Sequence, residues 1–232
     1  MLSKLKSELE QLSNPDKAKI QSSFFKTSKG QYSEGDIFLG VTVPETRKIA
    51  NNYLNLQLTE IQQLLSSKIH DHRLIGLLIL VENYKKTKDE KIPKFYLQNL
   101  KNVNNWDLVD LSADKILGQY LLDKDKSILY KLAQSNNLWE RRVAIISTFQ
   151  FIKNNQFEDT LKISEILLND KHDLIHKAVG WMLRELGKRN QELEEQFLKK
   201  HYKTMPRTML RYAIEKFDEE KRKQYLSKNS QL

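Results

Sequence analysis

A short helical register returns along this chain every 32 to 37 residues, and that spacing restricts the fold more than any other feature. The segments are Arg73-Leu-Ile-Gly, Asp110-Leu-Ser-Ala, Arg142-Val-Ala-Ile, Lys177-Ala-Val-Gly and Arg211-Tyr-Ala-Ile, with first residues 37, 32, 35 and 34 positions apart. A period of this length marks paired helices stacked in an array, because one pair cannot bury its apolar stripe alone. Only 7 glycines and 4 prolines interrupt 232 residues, and apolar positions recur at helical rather than strand spacing. The expected fold class is all-α: a curved α-α superhelix, built as a repeat solenoid, with a concave side lined by one helix of each pair. Periodicity alone leaves a globular helical bundle as the alternative.

Helices are expected at about 2–12, 15–25, 43–54, 58–67, 70–86, 88–101, 105–122, 126–134, 137–154, 157–168, 172–188, 190–202, 206–217 and 218–227. Pro15, Pro44 and Pro206 stand near first turns, where a missing N–H costs nothing. Asn104 or Asn105 can cap the helix that holds Trp106. The organisation expected is one domain over 1–232, with N-terminal helices and a glycine-containing loop in 1–57 and paired repeats in 58–232. The non-helical stretch runs from Lys26 to Val43 and holds three of the seven glycines. A loop this long is usually functional or mobile. Its Ser28-Lys29-Gly30 is not a phosphate-binding loop, which needs Gly-Lys-Ser/Thr opening a helix after a strand.

Composition narrows the partner. Lys and Arg exceed Asp and Glu by 39 to 30, for a net charge of +9, which favours a polyanion, nucleic acid ahead of membrane. The longest apolar run, Leu74 to Val81, is too short to span a bilayer, and the N-terminus lacks an apolar secretion core. A cytoplasmic protein is expected, nucleoid-associated if prokaryotic. The absence of cysteine excludes disulfides and Cys-ligated zinc. His172 and His176 have a chelating spacing but no third ligand nearby, so no metal is expected.

Within the register, four first positions are cations and one, Asp110, is an acid. At about 100° per residue, with Trp106 at 0°, Asp110 falls near 40°, Asp114 near 80° and Asp107 near 100°. The apolar and small positions Ser112, Ile116, Val109 and Ala113 fall on the other side, so Trp106 and Asp110 lie at the accessible edge of the core stripe. Asp107 suits the helix dipole of a first turn. A plain alternative for Asp110 is an ion pair between repeats with a cation such as Arg142. Trp181 follows Lys177 by one turn, as Trp106 precedes Asp110, a placement that suits a stacking surface; Trp139 is expected to wedge between repeats. The cations Arg73, Arg141, Arg142, Lys177, Arg184, Arg207 and Arg211 lie near the register and suit a phosphate backbone.

Four stretches then resemble the DNA alkylation repair glycosylases of the AlkD type, built from HEAT-like repeats. They are Phe38-Leu-Gly-x-x-x-Pro44-Glu45-x-Arg47, Trp106-Asp-x-Val-Asp110, Trp139-x-x-Arg142-x-Ala-Ile and Lys177-Ala-x-Gly-Trp181-x-Leu-Arg184-Glu185. The resemblance implies a cofactor-free enzyme, a monomer, that hydrolyses the N-glycosidic bond of cationic N3- and N7-alkylated purines in double-stranded DNA. It implies Asp110 as the catalytic carboxylate, Trp106 and Trp181 as cleft aromatics, and Arg142 as the cleft arginine. Arg73, Lys177, Arg184, Arg207 and Arg211 are the expected DNA-binding cations. It also implies that the damaged base need not be extruded, unlike in most glycosylases. Phe24 stands about where such enzymes place a tyrosine, and the Gly30–Asp36 stretch looks longer than in them. A non-catalytic binder of branched or distorted DNA on the same fold is the second expectation. A scaffold for an acidic protein is the third.

Overall fold

The computed structural model describes residues 1–227. Among them helices dominate, and the extended pairing is one isolated parallel bridge, Ile37 with Ile69. No helix among the described residues is long and apolar enough to cross a membrane. The chain divides into two compact units, Met1–Tyr120 and Leu121–Leu232.

The first unit is organised around one helix. In order it holds α1 (Leu2–Gln11), α2 (Pro15–Phe24), α3 (Val43–Ala50), α4 (Leu58–Leu65), α5 (His70–Thr87), α6 (Lys91–Gln98) and α7 (Trp106–Ala113). Helix α5 is buried along nearly its whole length and packs on α3, α4, α6 and α7. Its run from Leu74 to Val81 is apolar on every side, as a helix surrounded by others must be. Asn14 caps α2 by accepting from the Lys17 N–H at 3.0 Å, with Pro15 opening the helix. Thr42 and Glu45 form a capping box on α3, where Pro44 sits in the first turn. Asn105, not Asn104, caps α7; its side chain accepts from the Trp106 N–H at 2.8 Å.

The helix holding Trp106 departs from the continuous 105–122 expected. After Ala113 it widens into a π-turn, Asp114–Gly118, before a last turn, α8 (Gln119–Leu121). A π-turn inserts a residue and rotates the helix beyond it. The even 100° spacing therefore stops at Ala113, and Asp114 is buried instead of lying outside the core stripe. Helix 43–54 also stops early, at Ala50, and the stretch to Leu56 runs in turns. Helix 88–101 starts late, because Lys88 ends α5 in the left-handed conformation, with φ 54°.

The second unit holds α9 (Ser127–Ala133), α10 (Leu138–Lys153), α11 (Glu158–Leu167), α12 (Asp173–Gly187), α13 (Gln191–His201), α14 (Arg207–Ala213) and α15 (Glu219–Leu226). Helix α10 packs on α9, α11 and α12, and α12 also packs on α13 and α14. Gly180 lets α12 and α14 approach closely. A Cβ there would stand 2.4 Å from the Met209 carbonyl oxygen and 2.5 Å from Tyr212 Cβ.

Candidate active site

Trp106 and Asp110 stand one turn apart on α7, and both are half-buried. Their acidic neighbours are placed differently. Asp107 and Asp114 are both buried, Asp114 beside Lys115 Nζ at 2.9 Å. Of the three nearby carboxylates on this helix, Asp110 is thus the one with a partly solvated side chain. Its charge is also felt by Tyr96 in the core behind α7. Burial first, then Asp114 and Asp110, push that phenol well above its ordinary pKa.

Trp106 rests on an aromatic stack that the sequence did not reveal. Its ring lies parallel to Phe25, centroids 5.2 Å apart. Phe25 stacks on Phe38 at 5.0 Å, and Phe38 on the His70 ring at 4.5 Å. Phe24 meets Trp106 edge-on at 5.9 Å and is 63% exposed. An aromatic that large in water, touching Trp106, extends an apolar surface beside the half-buried carboxylate.

A buried charge network underlies the stack. His70 is 2% exposed. Its Nε2 donates to Asp107 Oδ2 at 2.8 Å, and its Nδ1 lies 3.6 Å from Asp36 Oδ2, an ion-pair distance too long for a hydrogen bond. Burial disfavours a charged ring. The Asp107 charge and hydrogen bond, with Asp36 adding to them and Arg73 opposing, outweigh it and raise the pKa to about 9. Two residues on, His72 has no such carboxylate. Burial, then Lys6 and Arg73, push it down to about 4, and Ser67 Oγ lies 3.0 Å from its Nδ1.

The Lys26–Val43 loop is tied to the start of α5. The Leu39 N–H donates to Asp71 Oδ2 at 2.8 Å, and the His70 N–H to the Ile37 carbonyl at 2.8 Å. Asn105 Nδ2 donates to Ser33 Oγ at 2.7 Å, pinning the loop to the start of α7 as well. Asp107 is buried; it keeps the first-turn position expected of it and takes His70 as its partner.

Arg73 does not lie where the register suggested. It is 3% exposed, donating to Asp36 Oδ2 at 2.6 Å and to the Ser67 carbonyl at 2.8 Å. The physical reason is the apolar surround of α5: a cation at its start is buried and must be paired.

In the second unit, Trp181 is half-buried on α12, 5.8 Å from Phe149. Lys153 Nζ lies 4.0 Å from the Phe149 centroid. Arg142 is 5% exposed and donates to the Leu174 carbonyl, while Arg141 binds Asp170 at 2.6 Å and the Ser135 carbonyl at 2.9 Å. Lys177 pairs with Asp173 at 2.7 Å, and Arg184 with Glu215 and Glu185. Arg207 and Arg211 are exposed, one turn apart on α14, and Arg207 donates to the Leu226 carbonyl at 2.8 Å. Trp139 is buried in the first turn of α10.

His172 and His176 are both engaged. His172 caps α12, its Nδ1 accepting from the Leu174 N–H at 3.2 Å, and His176 Nε2 bonds the Asp170 carbonyl. Among the described residues, no group of three or more His, Cys, Asp or Glu could hold a metal ion.

The structure thus defines an all-helical repeat protein with a half-buried tryptophan and carboxylate on one helix. Residues 5–217 match the model of the DNA alkylation repair enzyme family, and the chain belongs to that family. Among solved structures it resembles a predicted DNA alkylation repair enzyme from Enterococcus faecalis. The TM-score is 0.72 at 18% identity, covering 89% of this chain and 97% of that one. It also resembles AlkD2 from Streptococcus mutans, with TM-score 0.57 at 18% identity, covering 87% of this chain and 99% of that one. The fold is therefore the helical-repeat fold of the AlkD type. No curated protein matches its sequence.

Proposed function

We propose that this member of the family is a DNA glycosylase that hydrolyses the N-glycosidic bond of cationic N3- or N7-alkylated purines in duplex DNA. The observation that carries the reading is Asp110, partly solvated one turn from Trp106 while its acidic neighbours Asp107 and Asp114 are buried. An alkylated purine already bears positive charge, so its departure needs little acid assistance. Charge develops instead on the sugar, which approaches an oxocarbenium ion. A fixed carboxylate near C1′ stabilises that charge and orients the attacking water. Indole faces favour the same cation, a role assigned to Trp106 and Trp181.

Arg142 is assigned to a backbone phosphate that positions the nucleotide, for which it must exchange the Leu174 carbonyl that it now meets in the interior. Arg207 and Arg211 are assigned to flanking phosphates, with Lys177 and Arg184 exchanging their present carboxylate partners for phosphate. Arg73 is left out, since Asp36 holds it in the interior. The same reading has residues 1–232 working as one helical-repeat domain of HEAT-like type. It is a monomer in the cytoplasm or on the nucleoid, with no metal or cofactor.

The test is release of 7-methylguanine and 3-methyladenine from methylated duplex DNA. Asp110→Asn should lose roughly 10²–10³ in single-turnover rate, or about 3–4 kcal/mol. Release by that variant at the wild-type rate would remove Asp110 from the chemistry. Salt-dependent binding by the wild-type protein without any base release would leave a non-catalytic binder of distorted DNA.

A further inference from the structure

The carboxylate and tryptophan of α7 are only as well placed as the first turn of that helix. Chemistry of this kind tolerates little displacement, and a 1 Å misplacement can lower a rate by about 10²-fold. The attachments of that turn therefore bear on function. They converge on one residue, His70. Its Nε2 holds Asp107, which immediately follows Trp106 in the chain. Its ring ends the stack that runs through Phe38 and Phe25 to Trp106. Its backbone N–H holds the Ile37 carbonyl of the loop that Asn105 grips through Ser33.

We propose that His70 is a positioning residue for the Asp110 site, fixing the first turn of α7 through Asp107 on one side and through the Phe38–Phe25–Trp106 stack on the other. The inference rests on the reading of Asp110 given above. His70 touches no substrate; it acts through Asp107 and Trp106. The charged groups around its ring are Asp36 from the loop, Asp107 from α7, and Asp71 and Arg73 from its own helix. Loss of the ring proton at alkaline pH would leave Asp36, Asp71 and Asp107 opposed by Arg73 alone. The clamp on α7 would then loosen.

Two variants separate positioning from simple stability. His70→Phe keeps a ring in the stack but removes the donor to Asp107. His70→Gln keeps a donor of similar reach and does not titrate. His70→Phe should lose roughly 10–100-fold in single-turnover excision at pH 7.5. Its Kd for duplex DNA should change less than about twofold, since phosphate contacts dominate affinity. His70→Gln should restore most of the rate and abolish the fall expected of the wild-type protein above pH about 9.

Hydrogen exchange at the amides of 106–113 supplies a reading that does not depend on activity. Protection there should fall in His70→Phe and return in His70→Gln, with α10 and α12 unchanged. Unaltered protection in folded His70→Phe overturns the inference whether or not the wild type excises anything. A wild-type protein that releases no base overturns the reading of Asp110 alone. Equal rates in all three proteins overturn the positioning role.

Discussion

Two buried ionisable groups, one in each unit, are handled in opposite ways. In Met1–Tyr120, His70 lies in the core with Asp107 and Asp36 beside it, and they hold it charged. In Leu121–Leu232, Glu194 on α13 is 1% exposed and its Oε1 has no hydrogen-bond partner. Burial, with the Glu195 charge adding and Arg184 opposing, raises the Glu194 pKa to about 9, so it stays protonated at neutral pH. The contrast teaches what a buried polar group is for. Where opposite charges face it, a core ion ties helix and loop into one arrangement. Where burial outweighs the opposing charge, as it does over Arg184 here, the group discards its own charge and fills space beside Gly187, whose missing Cβ leaves room for the carboxyl.

The largest effect that sharpens the comparison concerns packing in the second unit. Gly180→Ala drives a methyl into the Met209 carbonyl and Tyr212 Cβ. Backbone cannot yield as a side chain can, so overpacking should cost about 1–3 kcal/mol or more in urea unfolding. Thermal unfolding of this variant with unchanged midpoint would show that α12 and α14 are not held as closely as described.

The next effect is pH dependence. The folded His70 pKa lies above its unfolded value of about 6.5. Its stabilisation is fully present below pH 6.5 and is lost as pH rises through about 9; the total is on the order of 3 kcal/mol. Glu194 has its folded pKa raised above 4.5, the reverse of the usual carboxylate, so the folded state binds the extra proton. Its penalty is absent below pH 4.5 and grows as pH rises toward about 9.

Both groups make the protein less stable in alkali, from different windows. Urea unfolding between pH 4 and 9.5 separates them. Glu194→Gln should match wild type at pH 4 and gain on it by up to about 1.4 kcal/mol per pH unit above 4.5, because only the wild type has a carboxyl that ionises on unfolding. His70→Gln should flatten the slope between pH 6.5 and 9 to the part that Glu194 supplies, and leave the slope between 4.5 and 6.5 unchanged. If both variants keep the whole wild-type slope, the contrast between the two cores is wrong.

The smallest effect compares two left-handed residues, Lys88 in the first unit with φ 54° and Asn155 in the second with φ 57°. Lysine is strained there, whereas asparagine tolerates the conformation. Lys88→Gly should therefore stabilise by up to about 1 kcal/mol and Asn155→Gly by close to nothing, measured as shifts in urea midpoint.

Much of the fold was legible in the chain. Scarce glycine and proline, helical spacing of apolar residues, and prolines in or beside first turns place nearly every helix within a few residues of its position. Asp110 was legible too, as the acid at a cationic register position next to Trp106. Its support was not. His70 and Asp107 lie 37 residues apart, as do Asp36 and Arg73, and no periodicity links a loop acid to a helix cation. One signal was available: His70-Asp71-His72-Arg73 opens a helix that is apolar on every side from Leu74 to Val81. Polar residues entering such a core need partners, so this run announced a buried network without naming its members.

The sequence by itself determined the helices, their pairing period and the distinctness of one carboxylate, because those depend on local spacing and residue type. Only the tertiary structure decided which charges are usable. Arg73 and Asp110 occupy equivalent register positions, yet one is sealed against Asp36 and the other is partly open to water. The difference comes from the cover over each helix start: the 26–42 loop closes over Arg73, while α7 rests its loop-bound first turn on His70 and leaves the next turn half-exposed. Burial of a charge is set by neighbours distant in the chain, and helical spacing carries no record of them.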